Sequence, residues 1–326
     1  MRSDSGGYVV GIDIGGTNLR LAVADDSGAI LARWSALTAG HRGAEAIVDL
    51  VCSGIDHVLE QARLPKSALK AVGAGVPGVT NVDAGLVIAT SYLLGWRDVP
   101  LRELLEARLG VPAVVDNDVN VAAFGEGRMG AARDTRDFVF LAIGTGIGAG
   151  IILDGRPFRG MNWAAGEVGY MLVPGASEEP VERGKPGPVE SLIGGEGIRQ
   201  QWQLEWQEGK TSLLREASAT EIFDGAVQGD ALAQKTLDRC ARTLAHTIYN
   251  LSVVLNCPLV VLGGSVAMHE GLCIATRQFL DRWGGRFRVE IRRSELGTDA
   301  QLTGAICLAL DAAKSHLPRG AISRPE

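Results

Sequence analysis

The 326-residue sequence predicts an α/β fold of duplicated design. Three observations carry this. Apolar strand-like runs alternate with amphipathic helical stretches along the chain, the pattern of α/β layers. Two segments, Val9–Val23 and Phe140–Leu153, repeat one device: an apolar strand, a glycine-rich turn bearing a threonine, and a second apolar strand. The length allows about two domains, so each can hold one copy of the device.

Taken in order, residues 8–34 read as strands, apolar and β-branched, with turns at Gly15-Gly16 and at Asp25-Asp26-Ser27-Gly28. Residues 43–63 read as an amphipathic helix. Its Ala46, Ile47, Leu50, Val51, Ile55, Val58 and Leu59 recur at helical spacing, and Pro65 marks its end. Ala71–Val76 is a strand running into a Pro77-Gly78 turn. A helix over 98–109 leads to the strand Ala113–Val115, and a further helix begins near Asn120 and runs towards Arg128. Beyond the second hairpin, residues 155–197 are irregular and rich in Gly and Pro. Helices follow near 196–208 and 219–227. The stretch 230–256 carries Leu232, Leu237, Leu244, Ile248, Leu251 and Leu255, which predicts one long buried helix ending before Pro258. Leu259–Leu262 is a buried strand ending in Gly263-Gly264, and a last helix over 298–314 closes the fold.

Composition excludes several classes. Hydrophobic residues make up 46% and charged residues 21%, an ordinary globular balance. The formal net charge of −6 gives no electrostatic reason to bind nucleic acid or an acidic membrane surface. The five cysteines are scattered, with no CxxC pair, so neither a zinc knuckle nor a disulfide framework is suggested. No segment approaches the length of a membrane span, and the N-terminus has no signal-peptide core, so the expected location is the cytoplasm.

The two turns suit anions. Glycine lets backbone N–H groups approach a phosphate closely, and successive N–H groups form a concave anion site. A threonine hydroxyl adds a donor. Two such hairpins suggest a duplicated fold that closes on ATP from both sides. Asp13, just before the first turn, would repel phosphates unless a cation stood between. Mg²⁺ is typically held by one or two carboxylates plus phosphate oxygens and keeps several waters, so Asp13 is read as the Mg²⁺ residue, acting through water. The run Gly144-x-Gly146-x-x-Ala149 resembles a dinucleotide fingerprint, but it enters a strand, Ile151-Ile152-Leu153, rather than a helix. Neither hairpin ends in the Gly-Lys-Ser/Thr of a P-loop. The bland alternative is two ordinary glycine-turned hairpins.

Asp116-Asn117-Asp118-Val119-Asn120 follows a strand and opens a helix, where α/β proteins place ligands. Phosphoryl transfer needs positioning, a charge clamp and a base. Asp118 is read as that base and Asn117 as a sugar anchor; the competing reading is helix capping, which Asp and Asn both favour. Gly166-Glu167-Val168-Gly169-Tyr170 and Pro188-Val189-Glu190-Ser191 add two carboxylates, natural acceptors for sugar hydroxyls, or else solvated surface glutamates.

With these motifs in this order, the sequence resembles the ROK family of sugar kinases and repressors, over nearly its whole length. The resemblance rests on Gly11–Asn18, Val76-Pro77-Gly78, Asp116–Asn120, Gly144–Gly150, Ala165–Gly169 and Leu262-Gly263-Gly264. It implies an actin/hexokinase-like, ribonuclease H-like duplicated fold with two domains flanking an ATP and sugar cleft. Residues 1–119 plus about 301–326 form a small domain with the first hairpin and the base motif, and residues 120–300 a large domain. It implies ATP-dependent phosphorylation of a hexose or a derivative, usually at O6, with Asp118 as base. Sugar ligands would be Gly78, Asn117, Asp118, Glu167 and Glu190, and Tyr170, though not the family's usual residue, would donate a hydrogen bond to a sugar oxygen. Asp13, Gly15, Gly16, Thr17, Asn18, Gly144, Thr145 and Gly146 would serve the phosphates and Mg²⁺, and Gly263 and Gly264 would flank adenosine. The expected partners are hexose and ATP, in a homodimer or homotetramer, with no nucleic acid and no membrane.

The departures from the family pattern are specific. Many members follow Gly-Glu-x-Gly with a zinc-ligating histidine; here it is Tyr170. Their three-cysteine cluster, aligned back from Glu190, falls on Val181, Arg183 and Pro188. A structural zinc site takes about four N or S ligands, so no zinc is expected; Arg183, Lys185 and several prolines would stiffen the loop instead. Tyr92 stands where Asn is frequent. Trp163 stands where small residues are common, to narrow the sugar mouth or stack on a ring face. The alternative function is a non-catalytic sugar-sensing regulator lacking a DNA-binding domain. ROK repressors carry a helix-turn-helix domain ahead of the kinase-like part, and only residues 1–7 precede the first strand here. An actin-like ATPase fits the sugar motifs less well.

Overall fold

The computed structural model describes residues 7–182, 185–283 and 288–315; Arg183 and residues 316–326 of the expected small domain lie outside them. The chain forms two units, Met1–Gly125 with Asp299–Glu326, and Glu126–Thr298.

In the first unit, apolar alternation produces an antiparallel run, β1 (Tyr8–Ile14), β2 (Asn18–Ala24) and β3 (Ile30–Leu37). Two strands are added in parallel, β4 (Leu69–Val76) beside β1 and β8 (Ala113–Asn117) beside β4, giving the order β3-β2-β1-β4-β8. Helix α1 (Gly43–Ala62) lays Ile47, Val51, Ile55 and Val58 into a core with Val10, Ile12 and Leu21. It stops at Arg63, which takes the left-handed conformation common just beyond helix ends. Helix α9 (Ala300–Ser315) brings Leu302, Ile306 and Ala309 against Val9, Ala22 and Ala71. It lies so close to β4 that a Cβ on Gly73 would come within 2.1 Å of the Ala305 carbonyl oxygen.

Three short strands, β5 (Val79–Asn81), β6 (Leu86–Ala89) and β7 (Arg97–Val99), make a small antiparallel sheet that the sequence reading lacks. The helix expected over 98–109 therefore begins later, as α2 (Leu101–Leu109), after Pro100. Helix α3 (Asp118–Met129) begins two residues earlier than expected, because the Asn117 side chain caps it.

In the second unit, β9 (Phe138–Ile143), β10 (Ile147–Leu153) and β11 (Arg156–Phe158) are antiparallel, and β12 (Leu259–Gly263) and β13 (Glu290–Arg293) extend the sheet in parallel. The order is β11-β10-β9-β12-β13. Both sheets thus have three antiparallel strands followed by two parallel ones, which is the expected α/β duplication. The irregular region holds a 3-10 turn (Val168–Tyr170) and α4 (Pro188–Ile193). Then come α5 (Gly195–Glu205), α6 (Ala219–Val227) and the long α7 (Ala231–Leu255). Ser218 and Glu221 form a capping box on α6, and Asp230 caps α7 through the Leu232 and Ala233 amides. Helix α8 (Glu270–Trp283) has no counterpart in the sequence reading. The core gathers Leu141, Trp202, Phe223, Leu244, Ile248 and Leu262. Among the described residues, no helix is long and apolar enough to cross a membrane.

Candidate active site

In the first unit, the turn between β1 and β2 is closed by Gly15 N–H donating to the Asn18 carbonyl at 2.8 Å. Thr17 and Asn18 are exposed at its tip. Gly16 has a packing reason to be glycine: a Cβ there would lie 3.0 Å from the Tyr92 carbonyl oxygen. Asp13 ends β1 almost buried, 6% exposed, and its register partner on β2 is Arg20. Arg20 Nε donates to Asp13 Oδ2 at 2.7 Å, and Arg20 Nη2 reaches Gln301 Oε1 on α9 at 3.1 Å. Burial raises the Asp13 pKa above the ordinary carboxylate range, while the Arg20 charge and hydrogen bond pull it down. Neither Arg20 nor Gln301 was singled out from sequence. The hairpin register could have found Arg20, since Ile14 opposite Leu19 puts Asp13 opposite Arg20.

At the end of β8, Asn117 is committed on both sides of its amide. Its Oδ1 accepts from Val119 N–H at 2.9 Å and Asn120 N–H at 3.1 Å, and its Nδ2 donates to the Gly78 carbonyl at 3.0 Å. An amide nitrogen carries two N–H donors, so one remains for a ligand. The capping reading of this motif is therefore correct for Asn117, and it does not exhaust the side chain. Gly78 is required where it stands: its φ is +102°, and a Cβ would come within 2.2 Å of the Ala89 carbonyl oxygen. Asp118 is the first residue of α3, half-buried, with Oδ1 accepting from Val119 N–H at 2.9 Å. The positive end of the helix favours a negative charge there. Asp116 is 2% exposed and accepts from Asn117 N–H at 2.7 Å and Asn120 Nδ2 at 3.4 Å. Of the two aspartates, Asp118 is the one that reaches solvent.

In the second unit, the turn between β9 and β10 is closed by Gly144 N–H donating to the Gly146 carbonyl at 3.0 Å. The Gly144 and Thr145 carbonyls accept from Gly195 and Glu196 N–H, so the turn caps α5 and is held by it. Thr145 is exposed. A Cβ on Gly144 would meet nothing within 4 Å, and its φ is not left-handed. The fold does not demand glycine at this position; close approach of a ligand would. Gly263 and Gly264 differ. A Cβ on Gly263 would strike the Phe140 ring at 2.4 Å, and one on Gly264 the Ile143 carbonyl at 2.3 Å, so packing accounts for both.

Gly166 accepts from Ala149 N–H of β10 at 2.9 Å and so pins the start of the Gly166–Tyr170 motif. Glu190, on α4, turns Oε2 to the Ile147 N–H at 3.0 Å, beside the glycine turn. Glu167 touches solvent, yet the protein packed around its carboxyl raises its pKa, with the Glu190 charge adding to the effect. The two glutamates therefore share one locale. Tyr170, 53% exposed, ends the same turn, its N–H on the Glu167 carbonyl at 3.1 Å.

The sequence pattern of the ROK family matches residues 9–312. A glucokinase of Halalkalibacterium halodurans is 31% identical over 315 residues, covering 91% of this chain and 93% of its own. An N-acetylmannosamine kinase of Shigella flexneri is 31% identical over 302 residues, covering 92% of this chain and 98% of its own. The crystal structure of a ROK family glucokinase from Streptomyces griseus, in complex with glucose and AMPPNP, superposes with a TM-score of 0.78 at 28% identity, covering 94% of this chain and all of the other.

Proposed function

The chain belongs to the ROK family and is a carbohydrate kinase, and we propose that it transfers the γ-phosphoryl group of Mg-ATP to O6 of a hexose or hexose derivative. The carrying observation is the Asn117–Asp118 pair. Asn117, locked between the Gly78 carbonyl and the amides of α3, keeps one N–H for a sugar hydroxyl. Asp118 follows it at a helix N-terminus and is accessible to solvent.

In this reading Asp118 accepts the proton of the sugar O6 hydroxyl as that oxygen bonds to the γ-phosphorus. The bond from the γ-phosphorus to its bridging oxygen breaks, and ADP leaves with the electron pair. Gly78, Asn117, Glu167, Tyr170 and Glu190 bind and orient the sugar. The turns Gly15-Gly16-Thr17-Asn18 and Gly144-Thr145-Gly146 offer amides and hydroxyls to the phosphates, and Gly263-Gly264 flank the adenosine. Magnesium, when bound, neutralises phosphate charge. Asp13, a carboxylate at the phosphate turn whose Oδ2 is held by Arg20, would hold it through water. No zinc enters this scheme, and the assembly is a cytoplasmic homodimer or homotetramer.

The test is a kinase assay with Mg-ATP against glucose, mannose, galactose and their N-acetylated amino derivatives, with the product identified by NMR. Transfer to O6 of at least one sugar is expected. Sugar binding without transfer to any would replace this reading with that of a sugar-sensing regulator.

A further inference from the structure

Resting on the sugar-kinase reading, we propose that Trp163 is a specificity-determining residue, whose indole covers the apolar C–H face of the sugar held by Glu167 and Glu190.

The argument begins with backbone conformation. Trp163 has φ of +55°, in the left-handed region that favours glycine. Among the described residues, four other non-glycine positions share this property: Arg63, Asp98, Asp154 and Asn256. Arg63 and Asn256 end helices α1 and α7, where such a conformation is usual, and Asp98 and Asp154 have the short polar side chains that tolerate it. Trp163 has neither excuse. Its loop also contains Gly160 at +68° and Gly166 at +96°. Two of the loop's three left-handed positions are thus glycine, and the third is the bulkiest side chain available. Strain retained at a non-glycine residue points to a role outside folding.

The loop's position supplies the second observation. Ala165 N–H donates to the Arg159 carbonyl at 3.0 Å, closing residues 159–165 into a tight loop, and a Cβ on Gly160 would sit 3.3 Å from Ala165 Cβ. The next residue, Gly166, is tied to Ala149 of β10, and Glu167 follows directly. Trp163 therefore stands four residues before a sugar-binding carboxylate on a closed, anchored loop. In the sequence that flanks it, Phe158 is 46% exposed, Met161 93%, Tyr170 53% and Leu172 64%, so this stretch leaves several large apolar side chains open to solvent. A pyranose offers hydroxyls at its edge and C–H groups on its face, so a carboxylate and an indole carried on one anchored loop would supply a partner for each.

The test compares Trp163→Phe and Trp163→Asn with the wild type, using glucose, mannose and N-acetylmannosamine. Asparagine accepts the left-handed backbone, so W163N should melt no lower than wild type while losing the ring. W163N is expected to lower kcat/KM for the preferred sugar about 10–100-fold through KM, with kcat nearly unchanged, and to shift the ratio between sugars. W163F should keep most of the affinity. Tryptophan fluorescence should change when sugar is added without ATP, and W163F should lose that change while calorimetry still detects binding. Unaltered KM and sugar ratios in W163N, or an unaltered fluorescence change in W163F, would overturn the proposal. So would a large fall in melting temperature in both variants, which would make Trp163 a packing residue. If the wild type binds sugars but phosphorylates none, the kinase reading fails, and the fluorescence and binding measurements still decide the role of Trp163.

Discussion

Arg20 faces Asp13 across the first hairpin, with Nε 2.7 Å from Oδ2, and a second bond ties the guanidinium to Gln301. An almost buried carboxylate at the phosphate turn is thereby held in one orientation by a cation that is 31% exposed. Removing one partner of such a pair leaves an uncompensated charge, whereas removing both costs little. Arg20→Met is expected to destabilise by about 1–3 kcal/mol, less than a fully buried pair because water reaches Arg20. It should also raise the KM for Mg-ATP about tenfold, roughly 1.4 kcal/mol of binding. Asp13→Asn combined with R20M should recover most of the stability and none of the activity. Urea unfolding of the two variants and the wild type, alongside kinetics, checks both halves.

Glu167 carries a pH signature. Its pKa is raised by burial first and by Glu190 second. A raised folded-state pKa means that its favourable contribution to stability is complete below the ordinary Glu value of about 4.3 and is lost as pH rises through the folded value. Glu167→Gln should therefore leave stability unchanged at pH 4 and increase it slightly at pH 7.5. For binding the sign reverses, because the ionised carboxylate is the better hydroxyl acceptor. The KM for sugar should climb as pH falls through the raised pKa, and E167Q should have a high KM with no such acid limb. Thermal melts and sugar kinetics across pH 4–8 measure both.

The glycines separate ligand approach from packing. Gly144→Ala adds a Cβ into open space, so it should change stability by less than about 0.5 kcal/mol. Its KM for ATP should nonetheless rise about tenfold, because the methyl would stand where a phosphate approaches. Gly264→Ala meets the Ile143 carbonyl at 2.3 Å with φ of +82°, and should cost about 2–4 kcal/mol whatever the ligand. Chemical unfolding with and without AMPPNP distinguishes the two cases.

The strongly periodic elements were readable before the structure. Helices α1 and α7 carry long apolar stripes with clear end signals, and each hairpin is a run of apolar residues broken by glycine. Helix α8 escaped because its buried stripe contains Leu272, Cys273 and Thr276, too mixed to register as apolar. Strand β13 buries only Ile291 among charged neighbours, and β5 and β7 have three residues each. In the site, Asn117 and Asp118 were visible as a polar cluster between strand and helix. The double commitment of the Asn117 amide was not, because Gly78 lies 39 residues away in sequence. Gln301 was further out of reach, as its contact with Arg20 spans 281 residues. The strain at Trp163 depends on backbone angles that composition does not encode.

The most direct measurement concerns Asp118. Asp118→Asn keeps the shape of the side chain and removes the base. With the sugar that the wild type phosphorylates best, kcat should fall about 10²–10⁴-fold, while calorimetry finds the sugar Kd within about threefold of wild type. A D118N protein that keeps kcat within a few-fold of wild type would contradict the assignment of Asp118 as the base that accepts the sugar proton.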